Sequence, residues 1–203
     1  MAPFDVILFD VGGVLLTNGW DVHERAAAVK RFGLDAQELE RRHAEMAGAW
    51  ERGEIDRTQY LDATVFYEPR SFSHDEFFDF ILSQSQLLPD GAMGILEELS
   101  AGNRYFLGAL NNEARETNEF RFGKFELRRY LRVAFSSCYM GMRKPEPAIY
   151  TRALDILGSA PYRTLFIDDR PENVAGAVAA GMKAIWFTGA GALKGELEKL
   201  GVL

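Results

Sequence analysis

The sequence predicts an α/β fold, a doubly wound parallel sheet with a small helical cap inserted after the first strand. Residues 6–9 form a continuous apolar run, typical of a strand that is buried on both faces. From residue 88 onward, short apolar runs alternate with stretches of helical periodicity, as in βαβ units. Residues 18–87, which lie between the first strand and this alternating region, show helical periodicity only. The predicted domains are therefore a core of residues 1–17 and 88–203 and a helical cap of residues 18–87.

The cap segment is predicted to contain four helices. Asp35 and Ser73 precede two of these helices as N-caps, Gly33 ends the first helix, and Pro69 ends the third. The predicted ranges are 21–32, 36–50, 56–67 and 73–87.

The core segment is predicted to alternate strands and helices with right-handed crossovers. Pro145 is assigned to the first turn of a helix that Gly158 ends. The predicted strands are 105–110, 133–136, 165–167 and 184–187, and the predicted helices are 89–99, 113–129, 148–157, 172–180 and a C-terminal helix.

Composition limits the classes of function. The formal net charge is -7 and the pI is about 5.1, which argues against nucleic-acid or anionic-membrane partners because both need basic patches. Cys138 is the only cysteine, so neither an internal disulfide nor a thiolate zinc site is expected. No secretory leader and no apolar run of membrane-spanning length are recognised, so we expect a cytoplasmic protein. The oligomeric state is left open.

Polar residues follow several predicted strands. Asp10 follows the first strand, Asn111 and Asn112 follow the second, Lys144 precedes a helix, and Asp168-Asp169 follows a fourth strand. Because the carboxyl ends of parallel strands share one edge of the sheet, these side chains are expected to surround one small ligand. A carboxylate nucleophile, amide donors, an ammonium group and further carboxylates for Mg²⁺ are the parts that phosphoryl transfer through an aspartyl-phosphate requires.

These segments, in this order, resemble the four motifs of the haloacid dehalogenase-like (HAD) hydrolase superfamily. The motif residues are Asp10-Val11-Gly12-Gly13-Val14, the amide pair, Lys144-Pro145 and Asp168-Asp169. Within the superfamily, residues 51–55, 141–146 and 166–169 are similar to the enterobacterial α-glucose-1-phosphate phosphatases and to the N-terminal phosphatase domains of soluble epoxide hydrolases. The resemblance implies a HAD-like, Rossmannoid core and a cap that closes over the sheet edge.

The resemblance also implies roles for individual residues. Asp10 becomes the nucleophile and a Mg²⁺ ligand, and Lys144 neutralises charge between Asp10 and the phosphate. The other implied metal ligands are the Gly12 carbonyl, Asp169 and Asp168, with Asn173 in support. Asn111 and Asn112 are expected to hold phosphate oxygens. Arg52 and Trp20, in the predicted cap, are expected to contact the substrate, with core packing as the alternative for Trp20.

Two positions depart from the family pattern. Most phosphatases of this family carry a second Asp, the general acid/base, where this chain has Gly12, so either another group acts or the substrate has a good leaving group. His23 and Glu54 are candidate replacements, with an ordinary helix-surface role as the alternative for His23. Asn111 stands where the family usually has Ser or Thr.

The predicted function is Mg²⁺-dependent hydrolysis of a small phosphate monoester, such as a sugar phosphate. One alternative is a metal-independent 2-haloacid dehalogenase, because such enzymes also lack the second Asp. The acidic pair Asp168-Asp169 favours the phosphatase, since a metal-free site gains nothing from extra carboxylates beside the nucleophile. The other alternative is a weakened HAD-like domain that serves as a ligand-binding or regulatory module.

Overall fold

The computed structural model describes residues 3–203, in which five parallel strands form one sheet with the order β3-β2-β1-β4-β5. The first two residues of the predicted core segment lie outside this range. The strands are β1 Val6–Phe9, β2 Phe106–Asn111, β3 Val133–Ser136, β4 Thr164–Asp168 and β5 Lys183–Trp186. Strand β1 lies in the centre of the sheet and is buried along its whole length, as its continuous apolar run predicts. The predicted fold class is confirmed.

The described residues contain ten α-helices. Their bounds are α1 Val22–Phe32, α2 Ala36–Glu51, α3 Arg57–Thr64, α4 His74–Ser83, α5 Met93–Gly102, α6 Arg115–Lys124, α7 Ser137–Met140, α8 Pro147–Leu157, α9 Pro171–Ala179 and α10 Ala190–Lys199. Two short 3₁₀ helices, Leu127–Arg129 and Pro161–Arg163, complete the chain.

Alternate residues of β1 pack on opposite faces of the sheet. Ile7 and Phe9 join one hydrophobic cluster with residues of α5, α6 and α10, whereas Val6 and Leu8 join another with residues of α8 and α9. Both faces are therefore covered by helices, which makes the sheet doubly wound.

Helices α1–α4 form the helical insert, the name used below for residues 18–87. They have a hydrophobic cluster of their own, in which Trp50, Tyr60 and Phe77 are each less than 5% exposed. Asp21, Asp35, Asp56 and Ser73 are the N-caps, and each accepts a backbone hydrogen bond from the helix that follows it. No helix of the described residues is long and apolar enough to cross a membrane.

Several predicted helix bounds are wrong. Helix α3 ends at Thr64, three residues before the predicted end, and α4 ends at Ser83, four residues early. The fourth helix stops because the chain returns to the core, where the Thr17 N–H donates to the Gln86 carbonyl at 2.9 Å and Leu16 pairs with Leu87. Local periodicity does not reveal such long-range hydrogen bonds.

The structure also differs from the prediction in the position of one helix-initiating proline and in the start of α5. The proline in the first turn of α8 is Pro147, whereas Pro145 lies before the helix. Helix α5 begins at Met93 because Asp90 has a positive φ of 57°, which a helix does not tolerate. The short helix α7 was not predicted.

Candidate active site

The carboxyl ends of β1 and β4 bring the acidic residues together. Asp10 directly follows β1, Asp168 is the last residue of β4, and Asp169 comes next. One carboxylate oxygen from each of the three lies within 4.8 Å of the other two. The parallel pairing of β1 with β4 explains this proximity, because Phe9 is in register with Ile167.

Lys144 lies between two of these carboxylates. Its Nζ is 2.9 Å from Asp10 Oδ1 and 2.6 Å from Asp168 Oδ2, and the side chain is 1% exposed. Burial alone disfavours the ammonium form, but the Asp10 and Asp168 carboxylates outweigh burial and raise the pKa of Lys144. Lys144 is therefore a fixed cation.

The Asn112 side chain holds the backbone of Lys144. Its Oδ1 accepts from the Lys144 N–H at 2.8 Å, and its Nδ2 donates to the Lys144 carbonyl at 2.9 Å. The predicted phosphate-binding amide is thus engaged in positioning the lysine.

The three carboxylates carry more negative charge than Lys144 compensates. Burial, with the Asp168 and Asp169 carboxylates as further causes, raises the pKa of Asp10 to about 8 despite Lys144. Burial and Asp168 also raise the pKa of Asp169, whose Oδ1 is buried without a hydrogen-bond partner. An unpartnered carboxylate oxygen beside two further carboxylates is a donor set that fits a hard divalent cation such as Mg²⁺.

Asp168 is held from several sides. Besides Lys144, it accepts from Asn173 Nδ2 at 3.0 Å and from the Arg170 N–H at 2.8 Å. The sequence predicts a supporting role for Asn173, and the structure places its amide on this carboxylate. Asp169 accepts fewer side-chain hydrogen bonds, so its carboxylate is the freer of the two to bind a cation.

Two glycines, Gly12 and Gly13, lie shortly after Asp10 in the sequence. Gly13 has a φ of +72°, and a β-carbon there would lie 2.1 Å from Asp169 Oδ2, so only glycine allows this approach. A β-carbon on Gly12 would lie 3.0 Å from Asn18 Oδ1 and 3.7 Å from Arg121 Nη1. The space beside Gly12 is therefore already occupied by an amide and a guanidinium.

Asn111 lies beneath the site. Its Nδ2 donates to Asn118 at 3.0 Å, its Oδ1 accepts from Ser136 at 2.8 Å, and the residue is 1% exposed. Both polar atoms of the amide that was expected to hold phosphate oxygens are engaged in this buried network, which joins β2, β3 and α6.

A cavity of about 250 Å³ opens on Asp10 between the sheet edge and the helical insert. Most of its lining side chains are polar or charged. They include Asp10, Asn18, Trp20, Asp21, Arg25, His43, Glu51, Asn112, Glu113, Arg143, Lys144, Arg170 and Asn173.

The residues predicted in the insert divide into two groups. Trp20 lines the cavity, whereas Arg52 does not and instead contacts the Gly48 carbonyl, Glu54 and Glu146. His23 and Glu54, the candidate acid/base residues, are exposed and lie outside the cavity lining. Neither is placed to act on a ligand beside Asp10.

Aromatic residues of the insert form one wall of the cavity. Trp20 Nε1 donates to the Tyr60 hydroxyl at 2.8 Å, and that hydroxyl lies 2.7 Å from His43 Nδ1. Trp50 stacks on Tyr60 with the ring centroids 4.0 Å apart. Burial, reinforced by the Arg25 charge, lowers the pKa of His43 to about 4, so the imidazole is neutral at physiological pH.

Two ion pairs join the insert to the core at this cavity. Glu51, the last residue of α2, lies 3.2 Å from Arg143, and Asp21 lies 3.1 Å from Arg170. Sequence reasoning assigned no role to these residues or to His43. Arg143 and Arg170 are adjacent in sequence to the motif residues Lys144 and Asp169. This adjacency is the sequence feature that could have identified both arginines as residues of the site.

Comparison with known proteins gives a consistent result. A family model described as a haloacid dehalogenase-like hydrolase matches residues 4–181. A flavin mononucleotide hydrolase of Arabidopsis thaliana is 31% identical, over 97% of this chain and 78% of that protein. A sesquiterpene phosphatase of Aspergillus oryzae is 27% identical, over 97% of this chain and 96% of that protein.

Solved structures share the fold. A HAD-family enzyme from Bacteroides thetaiotaomicron in complex with magnesium superimposes with a TM-score of 0.78 at 23% identity, covering 93% of this chain and 95% of that one. A 2-haloacid dehalogenase from Pseudomonas syringae has a TM-score of 0.62 at 21% identity, covering 91% of this chain and 86% of that one. The fold alone therefore does not separate phosphatases from dehalogenases.

Proposed function

The chain belongs to the haloacid dehalogenase-like hydrolases, and we propose that it is a Mg²⁺-dependent phosphatase that hydrolyses a small phosphate monoester through an aspartyl-phosphate on Asp10. The observation that carries this proposal is the group of three carboxylates around Lys144, with the unpartnered Oδ1 of Asp169 among them.

Asp10 is the nucleophile of the proposed reaction. Its Oδ1 accepts from the Val11 N–H at 2.7 Å and from Lys144, whereas no described residue donates a hydrogen bond to its Oδ2. Oδ2 attacks phosphorus while the bond from phosphorus to the leaving oxygen breaks. Water then hydrolyses the aspartyl-phosphate and regenerates the carboxylate.

The polar and charged groups around Asp10 are assigned to metal binding and to charge neutralisation. Asp10, Asp169 and the Gly12 carbonyl would hold Mg²⁺, with Asp168 oriented by Asn173. The bound cation would supply positive charge that stabilises the developing charge on the phosphoryl oxygens. Lys144 neutralises charge between Asp10 and the phosphoryl group, and Asn112 keeps it in place.

The helical insert acts as a cap that selects the leaving group. The cavity volume of about 250 Å³ lies just below the roughly 300 Å³ at which pockets for drug-sized ligands begin, which favours a small substrate. Its lining of charged and amide side chains favours a hydroxylated leaving group, such as a sugar, over a terpenyl group. Trp20 would pack against one face of that group.

Dehalogenation is the rival activity because a dehalogenase has the same fold and needs the same nucleophile. Three carboxylates within 4.8 Å of one another weaken a nucleophile that acts without a metal, since burial and mutual repulsion favour its protonated form. The donor set therefore supports metal-assisted phosphoryl transfer.

A release assay tests the proposal. Phosphate release is measured for sugar phosphates, flavin mononucleotide, other nucleotides and acyl phosphates, with Mg²⁺ and with a chelator, beside halide release from 2-chloropropionate. We expect Mg²⁺-dependent phosphate release that Asp10→Asn abolishes without unfolding the protein. Halide release, phosphate release that survives chelation, or full activity of Asp10→Asn would refute the proposal, and failure to hydrolyse any ester would favour a ligand-binding module.

A further inference from the structure

The proposed reaction lacks an acid/base at its usual position. The alcohol leaving oxygen needs a proton, and the attacking water must lose one. Beside Gly12 stand the amide of Asn18 and the guanidinium of Arg121, and neither an amide nor a guanidinium is among the side chains that usually serve as a general acid or base. The proton must come from elsewhere in the cavity.

The other titratable side chains of the cavity can be compared by their partners. Glu113 is bound through one oxygen to Arg121 and through the other to Thr117. Asp21 caps α1 and pairs with Arg170. The Nδ1 of His43 is engaged by Tyr60, and Glu172 is exposed. Glu113 and Asp21 are therefore held in ion pairs, and His43 is neutral at physiological pH.

Glu51 differs from all of them. It lines the cavity, its side chain is 29% exposed, and its Oε2 is buried without a hydrogen-bond partner. Arg143 Nε lies 3.2 Å from that oxygen, near enough for an ion pair. A carboxyl group that is poorly hydrogen-bonded yet anchored by one cation is free to give and accept a proton.

The backbone fixes Glu51 against the core. Its carbonyl accepts from the Ser137 hydroxyl at 2.6 Å, and the same hydroxyl accepts from the Glu113 N–H at 2.9 Å. Glu51 is thus linked to Glu113 through Ser137 and to Arg143 through the ion pair. Glu113 follows Asn112 and Arg143 precedes Lys144, so both residues belong to the loops that position the catalytic lysine.

The electrostatic surroundings favour the protonated form. Burial raises the pKa of the Glu51 carboxyl, and Glu113 raises it further, while Arg143, Arg170 and Lys144 act in the opposite direction. Glu51 is also the last residue of α2, where the helix dipole disfavours a negative charge.

We propose that Glu51 is the acid/base of the reaction, supplied by the helical insert in place of the residue missing at Gly12. This inference rests on the proposed phosphatase function. In the first step Asp10 attacks phosphorus, the bond to the leaving oxygen breaks, and that oxygen takes the Glu51 proton. In the second step the Glu51 carboxylate takes a proton from water as its oxygen attacks phosphorus, which releases phosphate and the Asp10 carboxylate.

The test separates the two steps with an isosteric variant. Glu51→Gln is assayed on an alkyl phosphate that the wild type hydrolyses and on 4-nitrophenyl phosphate, whose leaving group needs no proton. On the alkyl ester we expect kcat to fall by about 10²- to 10⁴-fold. On the aryl ester we expect a burst of one nitrophenolate per enzyme, followed by slow turnover because the aspartyl-phosphate persists.

Matched variants complete the experiment. Glu54 is exposed and lies three residues after Glu51, beyond the end of α2, and Glu54→Gln is expected to keep wild-type rates on both esters. Glu51→Ala with added formate is expected to regain part of the lost turnover. The proposal is overturned if either Glu51 variant hydrolyses the alkyl ester at the wild-type rate, or if both esters lose rate equally with no burst and no rescue. A wild type that hydrolyses no phosphate ester would instead refute the underlying function.

Discussion

Both atoms of the Asn112 side-chain amide are hydrogen-bonded to the backbone of Lys144, one to its N–H at 2.8 Å and the other to its carbonyl at 2.9 Å. The ammonium at the far end of Lys144 lies between the Asp10 and Asp168 carboxylates. Asn112 is therefore linked to Asp10, the proposed nucleophile, through the lysine.

Asn112→Ala should lower kcat/KM by about 10²-fold, because a shift of about 1 Å in a catalytic group has an effect of that size. The loss should lie mainly in kcat, since the variant leaves the cavity walls in the insert intact. Steady-state kinetics with the best phosphate ester measure it. Asn112→Asp keeps the acceptor for the Lys144 N–H, so its kcat/KM should lie between the values of the wild type and of Asn112→Ala. An unchanged kcat in Asn112→Ala would contradict the positioning role.

The sequence was sufficient to place the acidic residues of the site. A continuous apolar run predicts that β1 is a central strand, and the parallel sheet then brings Asp10 beside Asp168 and Asp169. Register in such a sheet follows from its topology, so strand-end residues converge wherever the strands are correctly identified.

The direction of individual side chains was not predictable. Asn111 is the last residue of β2, one position beyond the predicted strand end. Its amide points into a network with Ser136 and Asn118, since the neighbouring strand and α6 offer it buried partners. Glu51 meets Arg143 only because the insert folds back over the sheet edge. Such contacts between distant segments carry no local sequence signal.

Gly13→Ala should destabilise the protein and disturb the acidic site. The φ of +72° is unfavourable for alanine, and the new methyl group would displace Asp169, whose Oδ2 lies 2.1 Å from the β-carbon position. A loss of about 1–3 kcal/mol in the free energy of unfolding is expected from the backbone strain, with weaker Mg²⁺ binding. Urea unfolding and titration calorimetry measure the two effects.

Gly195→Ala is the matched control. Gly195 lies inside α10 with nothing within 4 Å of the β-carbon position, so alanine should stabilise the protein by about 0.5–1 kcal/mol. If Gly13→Ala proved equally harmless, the close approach of Gly13 to Asp169 would not be a requirement of the fold.

His43 should make the protein less stable in mild acid. Its pKa is lowered to about 4 in the folded state, against about 6.5 when unfolded, so between these values only the unfolded chain takes up the proton. The contribution of the neutral His43 to the free energy of unfolding is fully present above pH 6.5. It falls by at most about 3 kcal/mol as the pH decreases towards 4. The free energies of unfolding of wild type and His43→Gln, measured from pH 7 to pH 4, should converge by that amount.

His23→Gln provides the comparison, because His23 is exposed on α1 and has no described side-chain partner. A difference between wild type and His43→Gln that stayed constant across the same pH range would mean that burial does not hold the His43 imidazole neutral.

Mg²⁺ should stabilise the wild type through Asp169. At about 100 times its dissociation constant, a ligand adds about 2.7 kcal/mol of stability, which corresponds to about 5–10 °C in Tm for a chain of this size. Asp169→Asn should lose most of that increase in Tm. In the presence of a chelator its Tm should be no lower than that of the wild type, since the variant removes repulsion with Asp168. Asp155→Asn, on the exposed side of α8, should respond to Mg²⁺ as the wild type does. Equal Mg²⁺ responses of Asp169→Asn and wild type in thermal unfolding would place the cation elsewhere.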